Sequence, residues 1–199
     1  MENSIEVINT DNSYIEKFDP QLSSWAKNVQ DHLKPLSSEQ ICERLKEQSL
    51  PFSVMMSHIN GDFNIGSVIR SANGFGAEEV FYYGKRKMDR RGALGCYHYT
   101  KVKYIESFEE IIKLKSKYRF VGLENNTDRL CHNIKNYDWN FDKPNLIILG
   151  EESKGLTDDI LDLCDDLIYI DMSRGSIRSF NAAVASSIAM YDFVSKFSI

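Results

Sequence analysis

Several patterns that mark common classes of protein are missing from this 199-residue chain. No apolar run approaches the ~20 residues that a transmembrane helix needs, and the first residues lack the basic and apolar regions of a signal peptide. No two of the four cysteines form a Cys-x-x-Cys pair; they are Cys42, Cys96, Cys131 and Cys164. This spacing suggests neither a zinc site nor a disulfide framework. We therefore expect reduced, mostly buried thiols in a cytoplasmic protein that does not enter a membrane.

The usual phosphate-binding signatures are absent as well. No Gly-x-Gly-x-x-Gly follows the first apolar run. The segment from Gly150 to Gly155 continues into Leu156 and Thr157, where a Walker-type loop has a lysine and a hydroxyl residue. A dinucleotide-binding oxidoreductase on a doubly wound sheet is therefore a remote alternative. The histidines stand at unrelated positions, and we predict no metal site.

The net charge of -5 argues against a tail-like nucleic-acid binder, because such proteins use cations to neutralise phosphates. One local exception is the run from Lys85 to Arg91, in which five of seven residues are basic. Composition alone favours a solvated surface loop for this run. A basic patch that binds RNA is the alternative.

The character of the chain changes near residue 50. Residues 1–50 are polar and contain one clear helix, SSEQICERLKEQ, in which Ser37 and Gln40 have the spacing of a capping box. From residue 51 apolar runs alternate with amphipathic segments, which predicts an α/β domain with a mainly parallel sheet and helices on both faces. We expect an N-terminal helical extension over 1–50 and one domain over 51–199.

Four segments of the second region are candidates for function. The segment from Asn126 to Pro144 is long for a loop in a compact domain, so it is either functional or mobile. The other three lie at predicted strand ends, where open parallel sheets bind their ligands. They are NIGSVIRSANGFG at 64–76, LGEESKGL at 149–156 and SRGSIRSFN at 173–181.

Each of these three segments has an ordinary structural explanation when it is taken alone. Asn64 and Asn181 are common helix caps, and Arg70 on a helix can be a surface cation. In order and spacing, however, the segments resemble the SpoU (TrmH-like) branch of the SPOUT RNA methyltransferases. The family's first motif, Asn-x-Gly-x-x-x-Arg, matches 64–70, its second, Gly-x-Glu-x-x-Gly, matches 150–155, and its third ends at 179–181.

One departure from the family lies in the third motif, which usually opens Ile-Pro-Met. Asp171 stands in the proline position here, and the turn before Ser179 is one residue longer.

The resemblance implies a SPOUT fold with a C-terminal trefoil knot, a homodimer, and methyl transfer from S-adenosyl-L-methionine to a ribose 2'-hydroxyl of RNA. tRNA is the expected substrate and rRNA the main alternative, while a non-catalytic RNA-binding module is a further one. By the same resemblance the catalytic residues are Arg70, Asn64, Glu152, Ser179 and Asn181. Arg70 is either the base that removes the hydroxyl proton or an electrostatic clamp on a bound phosphate.

The resemblance also implies where the cofactor and the RNA bind. The implied cofactor contacts are Leu123, Gly150, Ile170, Met172 and Phe180. The implied RNA contacts are Lys85, Arg86, Arg90, Arg91, Arg174 and Arg178.

Overall fold

The computed structural model describes residues 29–59, 61–84, 90–125, 127–151 and 153–197, with the backbone alone at 62, 90 and 91. The helices in these ranges are α1 (Ser38–Glu47), α2 (Asp62–Gly74), α3 (Phe108–Leu114), α4 (Asp158–Leu163) and α5 (Ala182–Lys196). The strands are β1 (Phe52–Ser57), β2 (Val80–Tyr83), β3 (Val102–Ile105), β4 (Arg119–Leu123), β5 (His132–Asn133), β6 (Asn145–Leu149) and β7 (Asp166–Tyr169). No helix in the described ranges is both long enough and apolar enough to cross a membrane.

These strands form one parallel sheet in the order β3-β2-β1-β6-β4-β7-β5. Successive side chains of a strand point to opposite faces, so β1 contributes to two separate cores. Val54 and Met56 pack with residues of α2 and α5, whereas Met55 packs with residues of α3 and α4. The prediction of a mainly parallel sheet with helices on both faces is confirmed.

Helix α1 begins with the capping box that the sequence predicts. The hydroxyl of Ser37 accepts a hydrogen bond from the backbone nitrogen of Gln40 at 3.3 Å, and the Gln40 side chain accepts one from the Ser37 nitrogen at 2.9 Å. The buried side chain of Ile41 then packs with Leu33 and Tyr99. The helix expected within residues 1–50 therefore exists, and it lies against the 3₁₀ helix Cys96–Tyr99 of the second region.

The long segment before β6 is not a plain loop in its described part, 127–144. It contains β5 and a 3₁₀ helix, and its Trp139 is buried, with its ring centroid 5.1 Å from that of Phe193 in α5. The Trp139 indole donates to the Asp192 carboxylate at 2.8 Å, and the Lys196 ammonium donates to the carbonyls of Ile134 and Tyr137. This segment is thus a packed part of the domain, held by the last turns of α5.

Close packing of two glycines, Gly66 and Gly92, joins α2 to the 3₁₀ helix that contains the end of the basic run. The 3₁₀ helix Arg90–Ala93 lies against α2, and Gly66 is buried in the contact. An added Cβ at Gly66 would lie 2.6 Å from the Cα of Gly92 and from the backbone nitrogen of Ala93. The glycine of the first motif therefore permits close approach of two backbones, which fixes the end of the basic run beside α2.

Replacing Gly66 by alanine should lower the free energy of unfolding by about 1–3 kcal/mol, because the new methyl group has no room between the two backbones. Gly74→Ala is the matched control in the same helix, since a Cβ at Gly74 would meet no atom within 4 Å. That variant should be neutral or more stable by up to about 1 kcal/mol, owing to the better helix propensity of alanine. Urea unfolding of both variants measures the difference, and equal stabilities would contradict the packing argument.

Candidate functional site

A cavity of about 390 Å³ opens at the carboxyl ends of β4, β6 and β7. Leu123 ends β4, Leu149 ends β6 and Ile170 follows β7, and all three side chains line the cavity. The cavity lies at this edge because parallel strands bring their carboxyl ends together. Its charged lining residues are Glu124, Glu151, Lys154 and Arg178.

The loop that follows β6 folds tightly back on itself at the mouth of the cavity. Backbone hydrogen bonds join Glu151 and Gly155 in both directions, at 2.8 and 3.1 Å. Gly155 has a φ of +72°, a left-handed conformation that favours glycine. A Cβ at Gly150 would overlap the carbonyl of Gly155, so both glycines of the second motif are needed for this turn.

The carboxylate of Glu124, directly after β4, holds this loop in place. Its side chain is only 7% exposed, and one carboxylate oxygen accepts a hydrogen bond from the backbone nitrogen of Leu156 at 2.8 Å. The other oxygen accepts from the Asn125 nitrogen at 2.9 Å. A Cβ at Gly155 would overlap the carboxylate of Glu124, which is a further reason why only glycine fits at this position of the motif.

The segment after β7 is ordered by side chains that bind backbone groups. The Asn125 amide donates to the carbonyl of Ile170 at 2.9 Å, which extends the pairing of β4 with β7 beyond the strands. The Asp171 carboxylate accepts a hydrogen bond from the Ser173 nitrogen at 2.9 Å. That backbone bond, together with the Ser173 hydroxyl, lowers the pKa of Asp171 below its usual value. The residue that replaces the family's proline therefore organises the longer turn.

The first and third motifs meet through two asparagines that are far apart in the sequence. The Nδ2 of Asn181 donates to the Oδ1 of Asn64 at 2.9 Å. The Oδ1 of Asn181 accepts from the backbone nitrogens of Ala183 and Val184, so the same side chain caps α5. A hydrogen bond of 2.9 Å between the hydroxyls of Ser187 and Ser71 joins the two helices further along.

Arg70 lies on the exposed surface of α2 and is not among the residues that line the cavity. Its charge acts on the thiol of Cys96: burial raises the pKa of Cys96, and the guanidinium of Arg70 opposes that increase. Within one chain, therefore, the predicted catalytic arginine is separate from the predicted cofactor cavity.

The predicted site residues fall into several groups in the structure. Ser179 and Arg178 line the cavity, as do four of the residues predicted to contact the cofactor, Leu123, Gly150, Ile170 and Phe180. Met172 is not among the lining residues; its carbonyl accepts a hydrogen bond from Gly175 in the turn. Arg174 is exposed in the same turn.

Other predicted residues lie outside the described part of the chain. They are Glu152, Lys85 and Arg86, together with the side chains of Arg90 and Arg91. Sequence reasoning missed Glu124 and Lys154 altogether. A charged residue directly after an apolar strand was the available signal for Glu124. In the described ranges no cluster of His, Cys, Asp and Glu side chains has the arrangement of a metal site.

Comparison with known proteins gives a consistent result. Residues 51–191 match the SpoU rRNA Methylase family. The tRNA (guanosine(18)-2'-O)-methyltransferase of Escherichia coli (strain K12) is 27% identical to this chain over 165 residues, which is 80% of this chain and 70% of that protein.

Solved structures share the fold. The SpoU methyltransferase AviRb from Streptomyces viridochromogenes, in complex with the cofactor AdoMet, superposes with a TM-score of 0.64 at 27% identity, over 72% of this chain. The match spans only 57% of the AviRb chain. The A. aeolicus TrmH/SpoU tRNA modifying enzyme superposes with a TM-score of 0.68 at 20% identity, over 81% of this chain and 84% of that one. At this level of identity the similarity shows only that the two proteins share a fold.

Two substitutions separate the two roles of Asn181, which are the cap of α5 and the hydrogen bond to Asn64. Asn181→Ala should lower the free energy of unfolding by about 1 kcal/mol, because α5 loses its cap. Asn181→Asp keeps the capping oxygen and loses the Nδ2 donor, so it should retain most of that stability while breaking the bond to Asn64. Urea unfolding provides the measurement. Equal destabilisation by both substitutions would contradict a capping role for the Asn181 oxygen.

Proposed function

Because the chain belongs to the SpoU rRNA Methylase family, we propose that it methylates a ribose 2'-hydroxyl of RNA with S-adenosyl-L-methionine as the methyl donor. The observation that carries this function is the hydrogen bond between Asn64 and Asn181, which brings the first motif to the third beside a cavity bounded by the second. tRNA is the preferred substrate, in line with the E. coli relative. rRNA is the second candidate, favoured by the description of the family.

The cavity suits a nucleoside-containing methyl donor. Its volume of about 390 Å³ is within the range of small-molecule sites. Leu123, Ile170 and Phe180 supply apolar surface for an adenine ring, and the glycines of the loop let backbone groups approach closely. Gly150 and the backbone at Met172 complete the proposed cofactor contacts. When bound, S-adenosyl-L-methionine supplies a methyl group on a sulfonium, which an oxygen nucleophile can attack.

The chain's own residues then have three tasks: to bind the donor, to orient the ribose and to stabilise the charge that develops on its oxygen. We assign the second task to Ser179, at the cavity, and to Asn64, Asn181 and Glu152. Arg70 has the third task. A guanidinium keeps its charge in proteins, so we assign Arg70 the role of an electrostatic clamp on the RNA phosphate, through which it favours loss of the 2'-hydroxyl proton to water. The ribose oxygen would then bond to the methyl carbon as the bond from that carbon to the sulfonium sulfur breaks, leaving a neutral thioether.

The proposed enzyme is a homodimer in which Arg70 of one subunit serves the cavity of the other. Two observations support this arrangement: Arg70 lies outside the cavity of its own chain, and the neighbouring helices α2 and α5 expose apolar side chains. Phe63 is 68% exposed and Tyr191 is 64% exposed. A second copy of the chain would cover them.

We assign residues 51–199 the catalytic domain with the family's C-terminal trefoil knot, and residues 1–50 the role of an extension. The proposed location is the cytoplasm.

RNA is proposed to approach along a basic path. Lys154 and Arg178 line the cavity, and Arg174 is exposed in the adjacent turn. The packing of Gly66 against Gly92 fixes the end of the basic run beside α2. Lys85, Arg86, Arg90 and Arg91 of this run complete the proposed RNA-binding surface.

Arg70→Ala should reduce methyl transfer to a tRNA transcript by at least ~100-fold, because a charge placed for the transition state is lost. Its affinity for S-adenosyl-L-methionine, measured by calorimetry, should stay close to that of the wild type. Arg44→Ala, at an exposed position of α1, is the control and should transfer normally. Wild-type protein that binds RNA but not the cofactor would favour the non-catalytic module instead.

Mixing subunits tests whether Arg70 acts across a dimer. Ala185→Trp places a large side chain in the cavity and should be inactive alone. Mixed dimers of Arg70→Ala and Ala185→Trp should regain activity, since each has one site with an intact cavity and an intact arginine from the partner subunit. An inactive mixture of well-formed dimers would mean that Arg70 acts in its own chain.

Arg90→Ala and Arg91→Ala should weaken RNA binding and reduce the slope of log K against log salt by about one unit for each lost phosphate contact. Lys113→Ala, on α3 at the opposite face of the sheet, is the matched control and should leave the slope unchanged. Filter binding of a tRNA transcript over a series of salt concentrations provides the measurement. If the slope of the arginine variants is that of the wild type, the run is a solvated loop.

A further inference from the structure

His58 stands between the two parts of the proposed RNA path. It directly follows β1, whose Met56 is paired with Leu149 on one side and whose Ser57 is paired with Tyr83 on the other. The loop after Leu149 borders the cavity, and the segment after Tyr83 leads into the basic run. His58 therefore follows the strand that lies between β2, which leads into the basic run, and β6, whose following loop borders the cavity.

The backbone at His58 is held in an unusual conformation. Its φ is +57°, in the left-handed region that costs most residues about 1 kcal/mol or more. Gly84 beside it has a φ of +105°, and a Cβ at that glycine would lie 2.9 Å from the Cδ2 of His58. The ends of β1 and β2 are thus shaped together around the imidazole ring.

The ring is braced but remains open to solvent. The Ser57 hydroxyl lies 3.0 Å from its Nδ1, and the Tyr83 ring packs against it with centroids 4.8 Å apart at an angle of 81°. A histidine that served only the core would be buried, whereas His58 is exposed. A ring held in place before binding loses little conformational entropy when a ligand stacks on it.

We infer that His58 is a stacking platform for a base of the RNA substrate, an inference that rests on the proposed function. Aromatic and imidazole rings commonly hold unstacked bases of RNA in this way. The exposed ring, its fixed orientation and its place at the end of the strand between β2 and β6 all fit this role. Tyr83 and Gly84 are positioning residues that keep the ring in place.

Three substitutions separate stacking from the other roles of a histidine. His58→Asn removes the ring but keeps a residue that tolerates the left-handed conformation. It should weaken binding of a tRNA transcript by roughly 5- to 100-fold, the loss expected for one base–aromatic stack. His58→Phe restores a ring face and should recover most of the affinity. Tyr83→Ala removes the bracing ring and should weaken binding less than His58→Asn does, because the imidazole remains but is no longer held in place.

The salt dependence and the cofactor affinity decide the interpretation. A lost stack lowers RNA affinity without changing the salt slope, and calorimetry should give the same S-adenosyl-L-methionine affinity for every variant that urea unfolding shows to be folded. A slope reduced by about one unit, with His58→Phe as weak as His58→Asn, would overturn stacking in favour of a phosphate contact. Unchanged RNA binding by His58→Asn would also overturn it.

Failure of this inference is distinguishable from failure of the proposed function. Wild-type protein that methylates tRNA, with His58→Asn equally active and equally tight in binding, contradicts the platform alone. Wild-type protein that binds neither the cofactor nor RNA contradicts the function itself. Should His58→Phe not fold, the RNA affinity and the salt slope of His58→Asn against the wild type decide: a loss of affinity at an unchanged slope supports stacking, and a reduced slope overturns it.

Discussion

The parallel direction of all seven described strands is the constraint on which the candidate site depends. It brings the carboxyl ends of β1, β4, β6 and β7 to one edge, so segments distant in the sequence become neighbours. An antiparallel partner in the middle of the sheet would send one of these segments to the opposite edge. The cavity, the hydrogen-bonded pair Asn64 and Asn181, and His58 all lie at the edge formed by the carboxyl ends of the strands.

Close approach of backbone groups explains the glycines of the motifs better than flexibility does. Gly66 lets α2 contact Gly92, and Gly155 makes room for the buried carboxylate of Glu124. Each contact fixes one segment against another: the end of the basic run against α2, and the loop of the second motif against β4. The chemistry proposed for the site requires such fixed loops, because a small displacement of the reacting groups costs rate.

Charge in this protein is arranged locally, against an acidic total. The net charge is -5, yet Lys154, Arg178 and Arg174 lie at or next to the cavity, and the basic run ends beside α2. Phosphate binding depends on such local groups, because solvent ions screen charges that are further away than about 10 Å. The proposed dimer would place two of these surfaces on one particle.

The sequence by itself determined the alternation of strands and helices, the capping box of α1 and the family, because periodicity, caps and motif spacing are properties of neighbouring residues. It did not indicate the short strand β5. It did not predict that 127–144 would pack through Trp139, or that Glu124 would hold the loop at Leu156. Those contacts join residues far apart in the chain, so only the folded sheet decides which side chains meet. The tertiary structure likewise left Arg70 outside the lining of the cavity and placed His58 at the end of the strand between β2 and β6.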